Sequence, residues 1–152
     1  MMSGILMATI VQDTKTLRTY SKEWTGSDEE LKNLLSRMKL AMVENEGQGI
    51  AAIQIGEPYR VFVAVTMWDD VFVNPVVKNR SSIMKTDWEG CLSCKDAAVR
   101  VKRSHSIDLE YTNFKGNRKT TKFTGNDARV IQHELDHLNG FLITDRGKVY
   151  KP

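Results

Sequence analysis

His133 and His137 stand four residues apart in the stretch His133-Glu134-Leu135-Asp136-His137, and no other feature of the sequence limits the fold and chemistry of this chain as tightly. On an α-helix of 3.6 residues per turn two such residues lie about 40° apart around the axis, so both imidazoles can converge on one ion from a single face. The flanking sequence supplies that helix. Val130, Ile131, Leu135 and Leu138 follow a helical period over Asp127 to Asn139, with Asn126 or Thr124 placed to cap its start and Gly140 to halt it. Glu134, one step round from His133, cannot easily bind the same ion but can hold a water bound to it, an arrangement suited to metal-assisted hydrolysis. The plain alternative is an exposed helix that happens to carry two histidines and two acids. Against it, the chain has only 3 histidines and two of them fall at this spacing.

Catalytic sites of this kind commonly use three protein ligands and leave a position for water. A third histidine of the form H-E-x-x-H-x-x-G-x-x-H is absent, because Gly140 fits but position 143 is Ile. Downstream of His137 the sole acid is Asp145, so a later Glu ligand has nowhere to stand. The third ligand is expected upstream, where Cys91, Cys94 and His105 are the candidates. Cys91 is preferred, since Gly90 beside it would let the backbone approach an ion closely.

The rest of the chain reads as one α+β domain. Ser27 and Glu30 form a capping box ahead of a helix whose apolar stripe is Leu31, Leu34, Leu35, Met38 and Met42, with Gly47 as its stop. β-Branched and aromatic residues at 61–65 and 71–73 read as strands, the second broken by Asn74-Pro75. Ser106 to Thr112 and Lys119 to Phe123 flank a turn at 114–117 and read as a hairpin. Helix, several strands, then helix is an α+β order rather than a βαβ repeat. With 152 residues a single domain over 1–152 is expected.

Composition excludes several classes. Lys and Arg number 22 against 19 Asp and Glu, a net charge of +3 that gives no argument for nucleic acid. The densest basic stretch, Arg100, Lys102 and Arg103, alternates with Val99 and Val101 and reads as a solvated strand face. The longest apolar run, 5–11, is far below the roughly 20 residues of a membrane helix, and no basic residue precedes it as in a secretory signal, so a cytoplasmic location is expected. Two cysteines are too few for a disulfide framework.

Three segments, Gly47-Gln48-Gly49-Ile50-Ala51-Ala52-Ile53-Gln54, Glu89-Gly90-Cys91-Leu92-Ser93 and Gln132-His133-Glu134-Leu135-Asp136-His137, resemble the three motifs of peptide deformylases, in the same order. The resemblance runs from Leu17 to Arg146. It implies mixed, mainly antiparallel sheets packed around a central metal-binding helix, with an amphipathic helix near the N-terminus. It implies an enzyme that removes the N-formyl group from the N-terminal formylmethionine of new polypeptides and releases formate. Cys91, His133 and His137 become the metal ligands, with Fe2+ in the cell and Zn2+, Ni2+ or Co2+ in preparations. Glu134 becomes general base and then acid, and the side-chain amide of Gln54 and the backbone N–H of Leu92 become donors to the developing oxyanion. Gly47, Gly49, Ile50 and Gly90 are expected along the substrate, Gly49 and Ile50 by pairing with its backbone, and Val130 in an apolar pocket for the methionine side chain. Gly47 and Gly49 have a plain reading as the stop of the first helix, and Val130 as core.

The sequence departs from the family at four places. Ile53 stands where a proline is usual, Cys94-Lys95 replace an apolar residue and proline, and Ala98 stands where many members carry an arginine near the substrate, a role for which Arg100 is the substitute candidate. The chain is short beyond His137, so the ribosome contact that many bacterial members make through a long C-terminal helix is not carried over. Two other classes remain for comparison: a peptidase built on the same helix, and a structural zinc module of Cys91, Cys94, His133 and His137. Against the module, Cys91 and Cys94 in an extended segment would point to opposite faces, and the gap between Cys94 and His133 is far from the roughly 12 to 15 residues of a zinc finger.

Overall fold

Asp13 accepts hydrogen bonds from the backbone N–H groups of Lys15 and Thr16 and so starts a one-turn helix, α1 (Thr14–Leu17), near the beginning of the computed structural model, which describes residues 9–150. Of the apolar run at 5–11, residues 5–8 lie outside this description, and Ile10 is buried. Ser27 then opens α2 (Asp28–Glu44) with both bonds of the capping box in place, Glu30 N–H to Ser27 Oγ at 3.1 Å and Ser27 N–H to Glu30 Oε1 at 2.9 Å. The stop differs from expectation. Glu46, not Gly47, takes the left-handed conformation, with φ 57°, and the N–H groups of Glu46 and Gly47 close on the carbonyls of Val43 and Met42. The local helix-ending bonds thus form without a glycine at the strained position.

Eight strands follow: β1 (Gly49–Ala51), β2 (Val61–Ala64), β3 (Val71–Arg80), β4 (Met84–Cys91), β5 (Cys94–Ser104), β6 (Ser106–Thr112), β7 (Arg118–Thr124) and, after the helix α3 (Gly125–Leu138), β8 (Gly147–Tyr150). They form a five-stranded sheet ordered β1-β2-β3-β6-β7 and a three-stranded sheet ordered β4-β5-β8. Among the described residues every strand pair is antiparallel, and the parallel contribution is an isolated bridge between Lys22 and Tyr59. Asn74-Pro75 does not end the third strand. Asn74 adopts φ 50° within a bulge between Val73 and Val76, and its side chain accepts from Trp24 N–H and donates to Trp24 C=O, so β3 runs on to Arg80.

The unbroken apolar run of β2 is explained by burial on both sides. Val61 and Val63 pack with Leu34, Leu35, Met38 and Met42 of α2, whereas Phe62 and Ala64 pack with Ala128, Ile131, Leu135 and Leu138 of α3. Phe62, Phe72 and Tyr111 stack in series under α3, with ring centroids 4.7 Å apart at each step. Each such side chain taken fully from water contributes roughly 1.5–3 kcal/mol. Helix α3 touches β1, β2, β6 and β7 of the large sheet and β5 of the small one, and Gln132 fixes the second contact by donating to Ser104 C=O at 2.8 Å and accepting from Ser104 N–H. Gly140, at φ 81°, ends α3 as expected, and a Cβ there would meet Arg18 C=O at 2.5 Å. Nearby, Arg18 grips Asp145 with two bonds of 2.8 and 2.9 Å, which ties α1 to the segment leading into β8. No helix among the described residues is long and apolar enough to cross a membrane.

Candidate active site

The helical spacing of His133 and His137 places their rings 5.2 Å apart on α3, and the β4–β5 hairpin carries Cys91 to them. One ligand atom from each of these three residues lies within 4.8 Å of the others, and Cys91 Sγ is 3.4 Å from His137 Nε2. Of the upstream candidates, this is Cys91. Cys94 and His105 stand outside the group of three.

The argument from extended geometry against a cysteine pair does not hold in this fold. Leu92-Ser93 forms a two-residue turn, so Cys91 and Cys94 are cross-strand partners on one face rather than neighbours on opposite faces.

His133 is oriented by a carboxylate. Its Nδ1 lies 2.9 Å from Glu89 Oε1, which leaves Nε2 for an ion. Glu89 is itself clamped by Arg103 at 2.6 and 2.9 Å and by Arg129 at 2.7 Å, and Arg103 also reaches Asp136 on α3 at 3.0 Å. Burial alone would raise the Glu89 carboxyl, but its bonds to Arg103 and His133 outweigh that and hold it at about 2. Arg103 is therefore not on the solvated face expected from sequence. It is 5% exposed and shares the parity of Val99 and Val101, pointing inward. That parity was the available signal: a charge in the apolar register of a strand needs a buried partner. Glu89 stood inside a quoted motif with no role assigned, and nothing in local spacing singled out Arg129.

Glu134 is buried, and its Oε1 has no hydrogen-bond partner. Burial pushes its carboxyl up to about 7. Burial also holds His137 well below its usual range, aided by His133 and the Arg103 charge, so its imidazole is neutral. At His133 burial works the other way from the net result, and the bond to Glu89 together with the Glu134 charge raises it. The Cys91 thiol is raised by its hydrogen bond to Cys94 and by burial.

Cys91, His133 and Glu134 face an open cavity of about 890 Å³, whereas the buried His137 is not part of its lining. Gly47, Gly49, Gln54, Gly90, Leu92 and Val130 line it as well. Gln54 is held by Ala51 N–H donating to its Oε1 at 3.0 Å, and its amide nitrogen is turned to Cys91 Sγ at 3.7 Å and Ser93 Oγ at 3.3 Å. Val130 belongs both to the cavity lining and to the core beneath α3, so its two readings coincide. The side chain of Ile50 is fully buried against α2, and its backbone lies in β1, an edge strand of the five-stranded sheet. Gly90, at a register shift of β4, lines the cavity as well, and a Cβ there would meet no protein atom within 4 Å. Arg100 does not line the cavity. Its guanidinium lies over the ring of Trp88, which does, at 5.8 Å from the centroid.

A thiol, a neutral imidazole and a second imidazole fixed by a carboxylate form a donor set that suits a soft divalent cation, and Glu134 Oε1 is the orphaned acceptor beside it. The family model for polypeptide deformylase matches residues 7–151. The chain is 37% identical over 142 residues to a peptide deformylase of Pelagibacter ubique, covering 90% of this chain and 83% of the relative. It superposes on the crystal structure of peptide deformylase from Thermotoga maritima with a TM-score of 0.89 and 36% identity, over 95% of this chain and 99% of the other. It also superposes on a Met-Ala-Ser-bound peptide deformylase from Acinetobacter baumannii with a TM-score of 0.86 and 31% identity, over 93% and 98%.

Proposed function

Since the chain belongs to the polypeptide deformylase family, hydrolases that remove the N-formyl group from new polypeptides, we propose that Cys91, His133 and His137 hold its divalent cation and that Glu134 moves the protons of the reaction. Bound there, the cation would supply the Lewis acidity that polarises a formyl oxygen and acidifies a water. Ferrous iron is the ion we assign in the cell, with zinc, nickel or cobalt serving in preparations.

Glu134 suits its role because a carboxylate with a pKa near 7 can both take a proton from water and return it to the departing amine. Gln54 Nε2, which lies against the Cys91–Ser93 turn, and the N–H of Leu92 in that turn serve as donors to the oxygen that gains charge. Strand β1 is the free edge of its sheet, so the peptide backbone can add alongside Gly49 as a further strand. The methionine side chain then reaches Val130 in the cavity lining. The observation that carries the reading is the convergence of three ligand atoms within 4.8 Å beside a buried, unpartnered carboxylate. The family match also sets aside the structural zinc module and the peptidase.

The Acinetobacter relative holds Met-Ala-Ser, the product that deformylation of formyl-Met-Ala-Ser would leave. Nickel-loaded protein given that formylated peptide should release formate and a free amine. Internal cleavage without formate would refute the proposal. Glu134→Gln should retain the metal and lose activity by about 10²-fold or more, since it removes a proton acceptor and no ligand.

A further inference from the structure

Cys94 has no part in the chemistry above, yet the turn Leu92-Ser93 sets it directly opposite Cys91 in register. Residues paired in this way have Cα atoms about 4.5–5.5 Å apart, inside the range of roughly 4.4–6.8 Å that a disulfide spans. Their side chains leave the same face, and the Cys94 thiol is hydrogen-bonded to the Cys91 sulfur. Both cysteines are reduced, and Cys91 is among the residues that line the open cavity. The register shift at Gly90, with open space around that residue, lets the end of the hairpin adjust. We propose that Cys94 is a resolving thiol for Cys91: a hydroperoxide entering the cavity oxidises Cys91, and Cys94 converts the product into an intramolecular disulfide. The thiol pairing rests on the hairpin alone, and only its effect on the metal rests on the ligand assignment.

The first step joins Cys91 Sγ to the terminal peroxide oxygen, and the thiol proton passes to the departing oxygen. The S–O bond forms, the O–O bond breaks, and the sulfur gives two electrons to the peroxide, which leaves as hydroxide or alkoxide and takes up that proton. In the second step Cys94 Sγ attacks that sulfur, the S–S bond forms, the S–O bond breaks, and hydroxide departs as water with the Cys94 proton. With hydrogen peroxide the sum is two thiols and one peroxide to one disulfide and two waters. Without Cys94 the sulfenic acid would meet further peroxide and pass to sulfinic and sulfonic acids, which thiols do not reverse. The disulfide is reversible, and while it lasts Cys91 has no thiolate to offer a cation.

The test compares nickel-loaded wild type with Cys94→Ser under graded hydrogen peroxide, reading intact mass, titratable thiols and nickel released to an indicator chelator. Wild type should fall from two titratable thiols per chain to none, lose about 2 Da while remaining monomeric, release its nickel, and recover thiols and nickel binding with dithiothreitol. Cys94→Ser should instead gain about 32 or 48 Da and stay unrecovered, and Cys94→Ala should behave alike. Oxygen addition to the wild type, or loss of its thiols into linked dimers, would overturn the proposal. An internal disulfide that forms with nickel still bound would uphold the thiol pair and overturn Cys91 as a ligand, so the two readings fail separately.

Discussion

A methyl group on Gly49 would lie 2.7 Å from Glu134 Oε2 and 3.2 Å from Val130 Cγ1, so the glycine leaves room for the carboxylate proposed to move protons. Gly49→Ala should therefore displace Glu134 and lower kcat by about 10²-fold while metal content stays unchanged, which turnover and metal analysis on the same sample would show. Gly47 also leaves room, since a Cβ there would sit 2.8 Å from Leu92 Cδ1 and shift that side chain. The proposed ligands His133 and His137 were legible in the sequence because they are related by a fixed helical spacing. The purpose of the two glycines was not, because close approach to Glu134, 85 residues after Gly49, and to Leu92, 45 residues after Gly47, leaves no local pattern, and a glycine after a helix reads first as its stop. Glu46 shows that the stop was available without one.

At the scale of elements, the helices and the 106–124 hairpin could be read from caps, periods and turns, whereas the meeting of β5 with α3 could not. Arg103 carries that meeting, with 5% of its side chain exposed and bonds to Glu89 on β4 and Asp136 on α3. Arg103→Met would leave Glu89 buried with only Arg129 and His133 to balance it. The expected loss is roughly 3 kcal/mol in urea unfolding, because breaking a buried pair strands a charge. Metal affinity should fall about 10- to 100-fold in the same variant, since the carboxylate that orients His133 loses its clamp. The bulge at Asn74-Pro75 escaped the sequence for a related reason. Proline ends a strand unless something supports the irregularity, and here the support is the backbone of Trp24, fifty residues earlier.

For the whole molecule, the same buried carboxylate sets a limit on the acid side. Glu89 falls from 4.5 to about 2 on folding, so its contribution to stability is complete above pH 4.5 and is lost as pH falls through about 2. Melting temperature should accordingly decline as the pH is lowered over that window, and the decline should be shallower in Arg103→Met, measured by circular dichroism across pH 2 to 6. Two sheets meeting across α3 were expected from family resemblance rather than from pattern, because which strands pair is decided by packing on both faces at once. The tie between Arg18 and Asp145, together with the pairing of β8 on β5, has a consequence for how such a protein is made. Its outermost strand comes from residues 147–150, so the platform beneath Cys91 lacks a border until they emerge from the exit tunnel. An enzyme whose clients are nascent chains thus takes the border of its own small sheet from residues 147–150.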